Sequence, residues 1–129
     1  ACMARAAKIY ETPNGKMYAG NCEELLRQRT LGRFKGKVQL LLTSPPFLLK
    51  RKKKYGNKEG LDYVEWISHL GPIFKDYLTP DGSIVMEIGN SWVPGQPTMS
   101  TLPMRALLGF IDSAGRAGSI NHLSVFAMY

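Results

Sequence analysis

The sequence predicts an α/β fold with a parallel sheet, and three stretches carry that prediction. Residues 38–42 (VQLLL) form an apolar run with the length of a fully buried strand. Residues 61–78 place apolar side chains on one face of a helix, and residues 83–89 form a second buried strand. Strand, helix and strand in this order are typical of parallel sheets in α/β proteins. A length of 129 residues fits one such domain.

The charge of the chain points to the kind of partner it binds. Lys and Arg number 17 against 10 Asp and Glu, which gives a net charge of +7 and a pI near 9.6. This balance favours a polyanion such as nucleic acid. An acidic membrane surface would attract the charge too, but no basic amphipathic helix, membrane-length apolar run or signal peptide is evident. We therefore expect a cytoplasmic protein with no membrane partner, in which Cys2 and Cys22 are free thiols.

The amino-terminal part predicts a strand pair followed by a helix. Two β-prone runs, at 8–10 and 16–19, flank Asn14-Gly15, which is a strong reverse-turn signal. Gly20 and Asn21 break the second run, and an Asn suits the start of a helix over residues 22–27. Residues 30–37 are rich in Gly and cations and predict a surface loop.

The first buried strand ends at a stiff elbow, Thr43-Ser44-Pro45-Pro46-Phe47. Neither proline can donate to a strand ladder, and each holds φ near −65°. The elbow carries a hydroxyl, backbone carbonyls that no helix uses and an aromatic ring. Open α/β sheets place ligands at this edge. The combination suits a flat, polar, aromatic group such as a nucleobase.

Two nearby stretches bear on the same edge of the sheet. Residues 50–54 are all cationic, which is typical of a solvated loop and, beside a binding site, of contact with nucleic acid. If they contact phosphates, log affinity should fall with log salt at a slope of roughly −4 to −5. Residues 90–92 (Asn-Ser-Trp) follow the second strand and either form plain loop structure or line the site.

The predicted helix over residues 61–78 contains a Gly-Pro pair and two side chains, a tryptophan and a histidine, with more than one possible role. Gly71-Pro72 lies inside it and predicts a kink or break. Trp66 and His69 also lie on it. Packing is the favoured role for the tryptophan, and a surface or hydrogen-bonded position is favoured for the histidine.

The carboxyl-terminal part predicts a turn, a helix and a final strand. Residues 79–82 (TPDG) form a turn that stops the preceding helix. Thr101 is a candidate cap for a helix over residues 101–114, and Gly115 would end it. Residues 124–128 have the composition of a last strand.

Residues 43–57, TSPPFLLKRKKKYGN, resemble the catalytic region of DNA amino-methyltransferases, which place (Asp/Asn/Ser)-Pro-Pro-(Tyr/Phe/Trp) after a buried strand. The stretch is most similar to the PvuII-type N4-cytosine members, and TPDGS at 79–83 adds to the likeness. The resemblance covers about residues 10–115. It implies an α/β, partial Rossmann-like S-adenosylmethionine-dependent methyltransferase sheet with flanking helices. Residues 1–115 would be the catalytic half of the domain, and 116–129 an unassigned tail.

The resemblance implies a site-specific DNA methyltransferase that moves a methyl group from S-adenosylmethionine to the exocyclic amino group of a flipped cytosine. That amino group is a poor nucleophile because its lone pair is delocalised into the ring. The Ser44 side chain and the Pro45 carbonyl are implied to hold its protons. Stacking of Phe47 on the base would contribute about 1–3 kcal/mol, of the same order as the cost of flipping.

The residues implied by the resemblance fall into three groups, and no metal is implied. The catalytic residues are Ser44, Pro45, Pro46 and Phe47; the cofactor-binding residues are Gly20, Asn21 and Thr43; the DNA-binding residues are Lys50, Arg51, Lys52, Lys53 and Lys54. At Asn21 the family has an Asp that accepts a hydrogen bond from the adenine amino group of the cofactor. An amide oxygen accepts more weakly than a carboxylate, and a role as a helix cap alone is the alternative.

The family's methionine-moiety loop, Phe-x-Gly-x-Gly after a strand, does not occur in this sequence. In relatives with this motif order, that loop and the target-recognition region follow the catalytic half. We therefore expect a fragment, a truncated product or one part of a split enzyme, weak or inactive alone. Its partners would be double-stranded DNA and a complementary polypeptide. N6-adenine methylation, a non-catalytic DNA-binding remnant and an unrelated α/β module are the alternatives.

Overall fold

The structure, a computed structural model, describes residues 7–46, 60–89, 93 and 95–116. The chain divides into two compact units, Ala1–Lys35 and Gly36–Tyr129. Among the described residues, the first unit holds a strand hairpin and two short helices. The second holds two strands and two longer helices. In these ranges no helix combines the length and apolar character needed to cross a membrane.

The first unit begins with an antiparallel hairpin, as its sequence predicts. β1 (Ala7–Thr12) pairs with β2 (Gly15–Ala19) across a two-residue turn at Pro13 and Asn14. The two residues between the strands fit the short loops that are commonest in hairpins. Both strands are largely exposed.

Glu11 lies between two lysines on this hairpin. Its two carboxylate oxygens are 2.6 Å from the Nζ atoms of Lys16 and Lys8. Hydrogen bonds from Lys16 and then Lys8 lower the pKa of Glu11 to about 2. The resulting stabilisation is present at neutral pH and is lost as the pH falls through that value. Because water screens exposed ion pairs, their contribution to stability is small.

Two short helices follow the hairpin. α1 (Cys22–Arg27) begins at Asn21, whose side-chain oxygen accepts the Glu23 N–H at 2.9 Å, so the predicted helix start is confirmed. The surface loop predicted next is wrong over α2 (Arg29–Gly32). There the Gln28 carbonyl accepts two N–H groups, at 3.2 and 3.0 Å, and these local bonds close a single helical turn.

The second unit contains the predicted strand, helix and strand. β3 (Val38–Thr43), α3 (Gly60–Tyr77) and β4 (Leu78–Met86) follow one another, and β3 pairs with β4 in parallel. The parallel α/β arrangement is therefore confirmed. Because parallel strands start and finish on the same sides of a sheet, the chain leaves β3 and β4 at one common edge.

The predicted turn at residues 79–82 lies within β4 as an irregularity. The ladder advances from residue 78 to residue 83 on β4 while β3 advances from 38 to 40. Gly82 suits this position because a Cβ there would lie 2.9 Å from the Val38 carbonyl oxygen. The turn follows the end of α3, as predicted. β4 already pairs with β3 at Leu78, before the turn, whereas the predicted strand begins after the turn at residue 83.

α4 (Leu102–Arg116) differs from its prediction at both ends. The capping side chain is Ser100 rather than Thr101, because the Ser100 Oγ accepts the Leu102 N–H at 3.2 Å. The helix also continues past Gly115, which was expected to end it. A terminating glycine adopts a left-handed backbone, and Gly115 does not.

α3 continues through Pro72, where the sequence predicts a kink or break. Proline has no N–H to donate to the Ser68 carbonyl four residues earlier. The Ser113 hydroxyl of α4 donates to that carbonyl instead. Gly71 permits this close approach, because a Cβ there would lie 2.8 Å from the Phe110 carbonyl oxygen. A contact between helices therefore satisfies the group that the proline leaves without a partner in its own helix.

Trp66 and His69 take the positions that the sequence favours. The Trp66 ring packs against Tyr63 on the same helix, with ring centroids 5.9 Å apart. The His69 side chain is exposed on α3.

The core of the second unit lies between α3 and α4. Phe74 and Phe110 meet edge to face with ring centroids 6.0 Å apart. The other buried apolar side chains of the two helices are Tyr63, Ile67, Leu70, Tyr77, Ala106 and Ala114. This packing explains the apolar faces that the sequence shows on both helices.

β3 is not the fully buried strand that its apolar sequence predicts. Leu40 is 58% exposed and Leu42 is 74% exposed. Strands of parallel sheets are normally covered on both faces. In the described part of the chain β3 has one neighbouring strand, β4, and the face that carries these two leucines is uncovered. A wider sheet with its own helices would bury them.

Tyr63→Phe is expected to stabilise the chain. The Tyr63 hydroxyl is buried without a hydrogen-bond partner among the described residues, and burial raises its pKa to about 12. The native state therefore loses stability as the pH rises from about 10, where an unfolded tyrosine ionises, to about 12. At neutral pH the free energy of unfolding of the variant should be about 1 kcal/mol higher than that of the parent chain. The variant should also lose less stability at alkaline pH, because it lacks the Tyr63 hydroxyl.

Urea unfolding between pH 7 and 11 measures both effects. Tyr10→Phe is the matched control, because the Tyr10 ring is 55% exposed on β1. A Tyr63→Phe variant that is less stable than the parent chain at neutral pH would contradict the prediction.

Candidate active site

The elbow after β3 lies at the carboxyl edge of the sheet, as predicted. β3 ends at Thr43, and Ser44, Pro45 and Pro46 follow in non-repetitive backbone. The Pro45 side chain is buried, whereas Ser44 and Pro46 are exposed. The buried proline anchors the elbow, and its neighbours face solvent at the edge where α/β sheets bind ligands.

The end of β4 meets this elbow directly. Thr43 is the register partner of Met86, and the Glu87 N–H donates to the Thr43 carbonyl at 3.0 Å. The Ser44 Oγ in turn donates to the Glu87 Oε2 at 3.2 Å. Two hydrogen bonds therefore join the elbow to the first residue after β4, and a hydroxyl and a carboxylate lie side by side in solvent.

Glu87 is a candidate site residue that was not expected from the sequence. The apolar run at 83–89 places Glu87 inside a buried strand, whereas β4 ends at Met86 and the Glu87 side chain is exposed. A usable signal was present, because Glu87 is the one charged residue in SIVMEIG. A carboxylate is costly to bury, so its position marks the point where the strand reaches the edge of the sheet.

Ser44 and Glu87 together can bind a polar N–H group of a ligand and remove its proton. While its proton is donated to Glu87, the Ser44 oxygen keeps lone pairs that can accept a hydrogen bond from an N–H group. A proton lost by that ligand group can then pass to Ser44 as the Ser44 proton passes to Glu87. This is the arrangement of a general base that acts through an oriented hydroxyl.

Gly20 and Asn21 belong to the first unit and join β2 to α1. Gly20 has a φ of 146°, which favours glycine, and Asn21 is exposed. The Asn21 side-chain oxygen already accepts the Glu23 N–H. An amide oxygen has two lone pairs, so this one can accept a second hydrogen bond from a ligand.

Several residues proposed from the sequence lie outside the described ranges. They are Phe47, the cationic stretch Lys50, Arg51, Lys52, Lys53 and Lys54, and the rim residues Asn90, Ser91 and Trp92. The final strand predicted at residues 124–128 also lies outside them. In the part that is described, no three His, Cys, Asp or Glu side chains come together in a way that could hold a metal ion.

Comparison with known proteins identifies relatives of one kind. The chain is 40% identical over 106 residues to the type II methyltransferase M.PvuII of Proteus hauseri. Its structure matches that of the PvuII DNA methyltransferase (cytosine-N4-specific) with a TM-score of 0.68 and 37% identity. No protein-family model matches the chain. Similarity at this level in both sequence and structure shows a partial Rossmann-like fold, in which β3 and β4 are two parallel strands and α3 is the helix that connects them.

The matches cover most of this chain but a much smaller share of its relatives. The sequence match takes in 82% of this chain and 30% of M.PvuII. The structural match takes in 88% of this chain and 38% of the solved chain. The chain therefore spans about a third of the length of the relatives that it matches.

Proposed function

This chain is homologous to the PvuII-type cytosine-N4 DNA methyltransferases, and from that homology we propose that it forms the catalytic part of such an enzyme. The observation that carries the proposal is the hydrogen bond between Ser44 and Glu87. It lies in the segment that resembles the catalytic motif and at the sheet edge where that motif acts. Homology speaks against an unrelated α/β module.

The proposed substrate group is the exocyclic amino group of a cytosine flipped out of double-stranded DNA. Ser44 accepts a hydrogen bond from one amino proton, and the Pro45 carbonyl accepts the other. Both contacts draw the lone pair of the nitrogen away from the ring. Phe47 stacks on the base, which offsets part of the unstacking cost.

Ser44 and Glu87 also receive the proton that the reaction releases. When the amino nitrogen gains a methyl group, it carries one proton too many. That proton passes to the Ser44 oxygen, and the Ser44 proton passes to the Glu87 carboxylate. The 3.2 Å hydrogen bond already aligns the second transfer. A positioned acid or base of this kind contributes about 10²–10⁴-fold to rate.

The chain provides part of a cofactor site. S-adenosylmethionine, when bound, supplies a sulfonium methyl group. Asn21 fits the role of acceptor for the adenine amino group, because its exposed amide oxygen retains a lone pair after capping α1. Gly20 has no side chain that would obstruct a ligand next to Asn21, and Thr43 is the last residue of β3, directly before Ser44.

The cationic stretch at residues 50–54 follows the elbow in the chain and is proposed to contact DNA phosphates. Five such contacts would give a salt slope of roughly −4 to −5. A DNA substrate also supports a cytoplasmic location.

A complementary polypeptide is proposed to complete the enzyme. Leu40 and Leu42 leave an apolar face of β3 uncovered, and a parallel sheet is normally covered on both faces. The chain also matches only 38% of the solved relative. Segments equivalent to the rest of that relative would widen the sheet, cover the two leucines and complete the cofactor site.

Methyl transfer in a chimera tests the proposal. This chain would replace the corresponding segment of M.PvuII, and labelled S-adenosylmethionine and DNA would be supplied. Digestion and separation of the nucleosides should place the label in N4-methylcytosine, while this chain alone should transfer little or none. Label in N6-methyladenine would contradict the assigned base. A chimera that folds and binds both cofactor and DNA, yet transfers no label, would favour a DNA-binding remnant.

A further inference from the structure

The segment Arg27–Lys35 has a charge pattern that the catalytic proposal leaves unexplained. It contains four cations, Arg27, Arg29, Arg33 and Lys35, and no acidic residue. All four side chains are exposed. The segment therefore presents Arg29 on α2 and Arg33 directly after it as exposed cations.

The backbone of this segment is ordered by its own hydrogen bonds. The Gln28 carbonyl accepts two N–H groups to form α2. The turn continues because the Phe34 N–H donates to the Leu31 carbonyl at 2.9 Å and the Lys35 N–H donates to the Gly32 carbonyl at 3.1 Å. A run of cations in extended chain repels itself and stays solvated. Here successive turns fix the backbone of the segment, so an anion can contact its exposed cations without first ordering the chain.

One of the cations is also oriented by an aromatic ring. The Arg33 guanidinium carbon lies 4.8 Å above the centroid of the Phe34 ring. Phe34 is 41% exposed, and with Leu31 and Tyr18 it lines a surface cavity of about 370 Å³ beside the hairpin turn. Stacking on a ring leaves the edge N–H groups of a guanidinium available, and those groups match phosphate oxygens in a bidentate geometry.

We propose that Arg27–Lys35 is a second DNA contact, in which Arg29 and Arg33 bind the phosphate backbone of double-stranded DNA. The choice of DNA as the polyanion rests on the proposed function. The contact itself rests on the exposed, clustered cations and the oriented guanidinium. It reads no sequence, because phosphate contacts position a protein on the duplex and do not distinguish bases.

The salt dependence of DNA binding by the 129-residue chain tests this inference. A mixed-sequence duplex is titrated with the parent chain and with the Arg29→Gln/Arg33→Gln double variant between 50 and 200 mM salt. Each lost phosphate contact should lower the slope of log affinity against log salt by about 0.9. Over this range the parent chain should therefore lose about 12-fold more affinity than the double variant.

A charge-matched control separates local contact from net charge. Lys8→Gln/Arg105→Gln removes two exposed cations outside the segment and should leave the slope unchanged. Equal slopes for the parent chain and the Arg29/Arg33 variant would overturn the inference, as would an equal fall in the control. If the Arg29→Gln/Arg33→Gln variant lost affinity for single-stranded DNA but not for the duplex, the choice of double-stranded DNA would be overturned. A parent chain that binds no DNA would overturn the inference too, while the labelled chimera tests catalysis separately.

Discussion

Methyl transfer by the chimera is expected to fall by about 10²–10⁴-fold when Glu87 is replaced with glutamine. Glutamine keeps the size of the side chain and can still accept the Ser44 hydrogen bond, but it cannot take up a proton. Ser44→Ala should cost a similar factor, because it removes the hydroxyl that links the base to Glu87. Single-turnover rates with labelled cofactor measure both effects without interference from product release.

The double variant distinguishes a proton path from two independent effects. If Ser44 and Glu87 act as one unit, Ser44→Ala/Glu87→Gln should be little slower than either single variant, because the first change already breaks the path. If the rate loss of the double variant equalled the product of the two single losses, Ser44 and Glu87 would act independently. Glu65→Gln on the exposed side of α3 is the matched control and should leave the rate unchanged. If the Glu87→Gln variant transferred methyl groups at the parent rate, Glu87 would have no role in the reaction.

Phe110→Ala is expected to destabilise the chain by about 3–5 kcal/mol. The Phe110 ring is 2% exposed and meets Phe74 edge to face, so its removal leaves a cavity between α3 and α4 and forfeits an aromatic contact. A loss of this size is a large part of the stability of an ordinary domain, which is about 5–15 kcal/mol. Urea unfolding followed by circular dichroism measures the change.

Leu108→Ala provides the control for Phe110→Ala on the same helix. Leu108 is 60% exposed, so its truncation should change the free energy of unfolding by no more than about 0.5 kcal/mol. Similar losses for the two variants would mean that the interface between α3 and α4 is not the core of the second unit.

The elbow and its place in the sheet were predictable because they depend on local physics. Two prolines must end a strand, and strands joined through a helix run parallel, so Ser44 had to lie at a carboxyl edge. Glu87 was not found in this way. Apolar periodicity marks a strand but fixes its last residue only to within a few positions, and a shift of one position decides whether Glu87 is inside the sheet or at its edge.

Two other differences have tertiary causes that no local pattern contains. α3 passes through Pro72 because Ser113, 41 positions further along the chain, satisfies the freed carbonyl. The exposure of β3 has a related cause. Its apolar residues match a strand covered on both sides, and the described part of the chain supplies one neighbouring strand. In the first case the partner is distant in the sequence, and in the second nothing within the described residues covers the apolar face.

The packed pair of α3 and α4 has a consequence for the order in which this protein assembles. Its core is drawn from two helices within residues 60–116, so it closes with a moderate loop and needs no further strand. The parallel sheet is different, because within the described residues the face of β3 that carries Leu40 and Leu42 is uncovered. The helix pair can therefore form first and present β3 and β4 as a template. Under the proposed function, covering this face of β3 becomes the late step of assembly, and until then the exposed Leu40 and Leu42 favour association with the wrong partner.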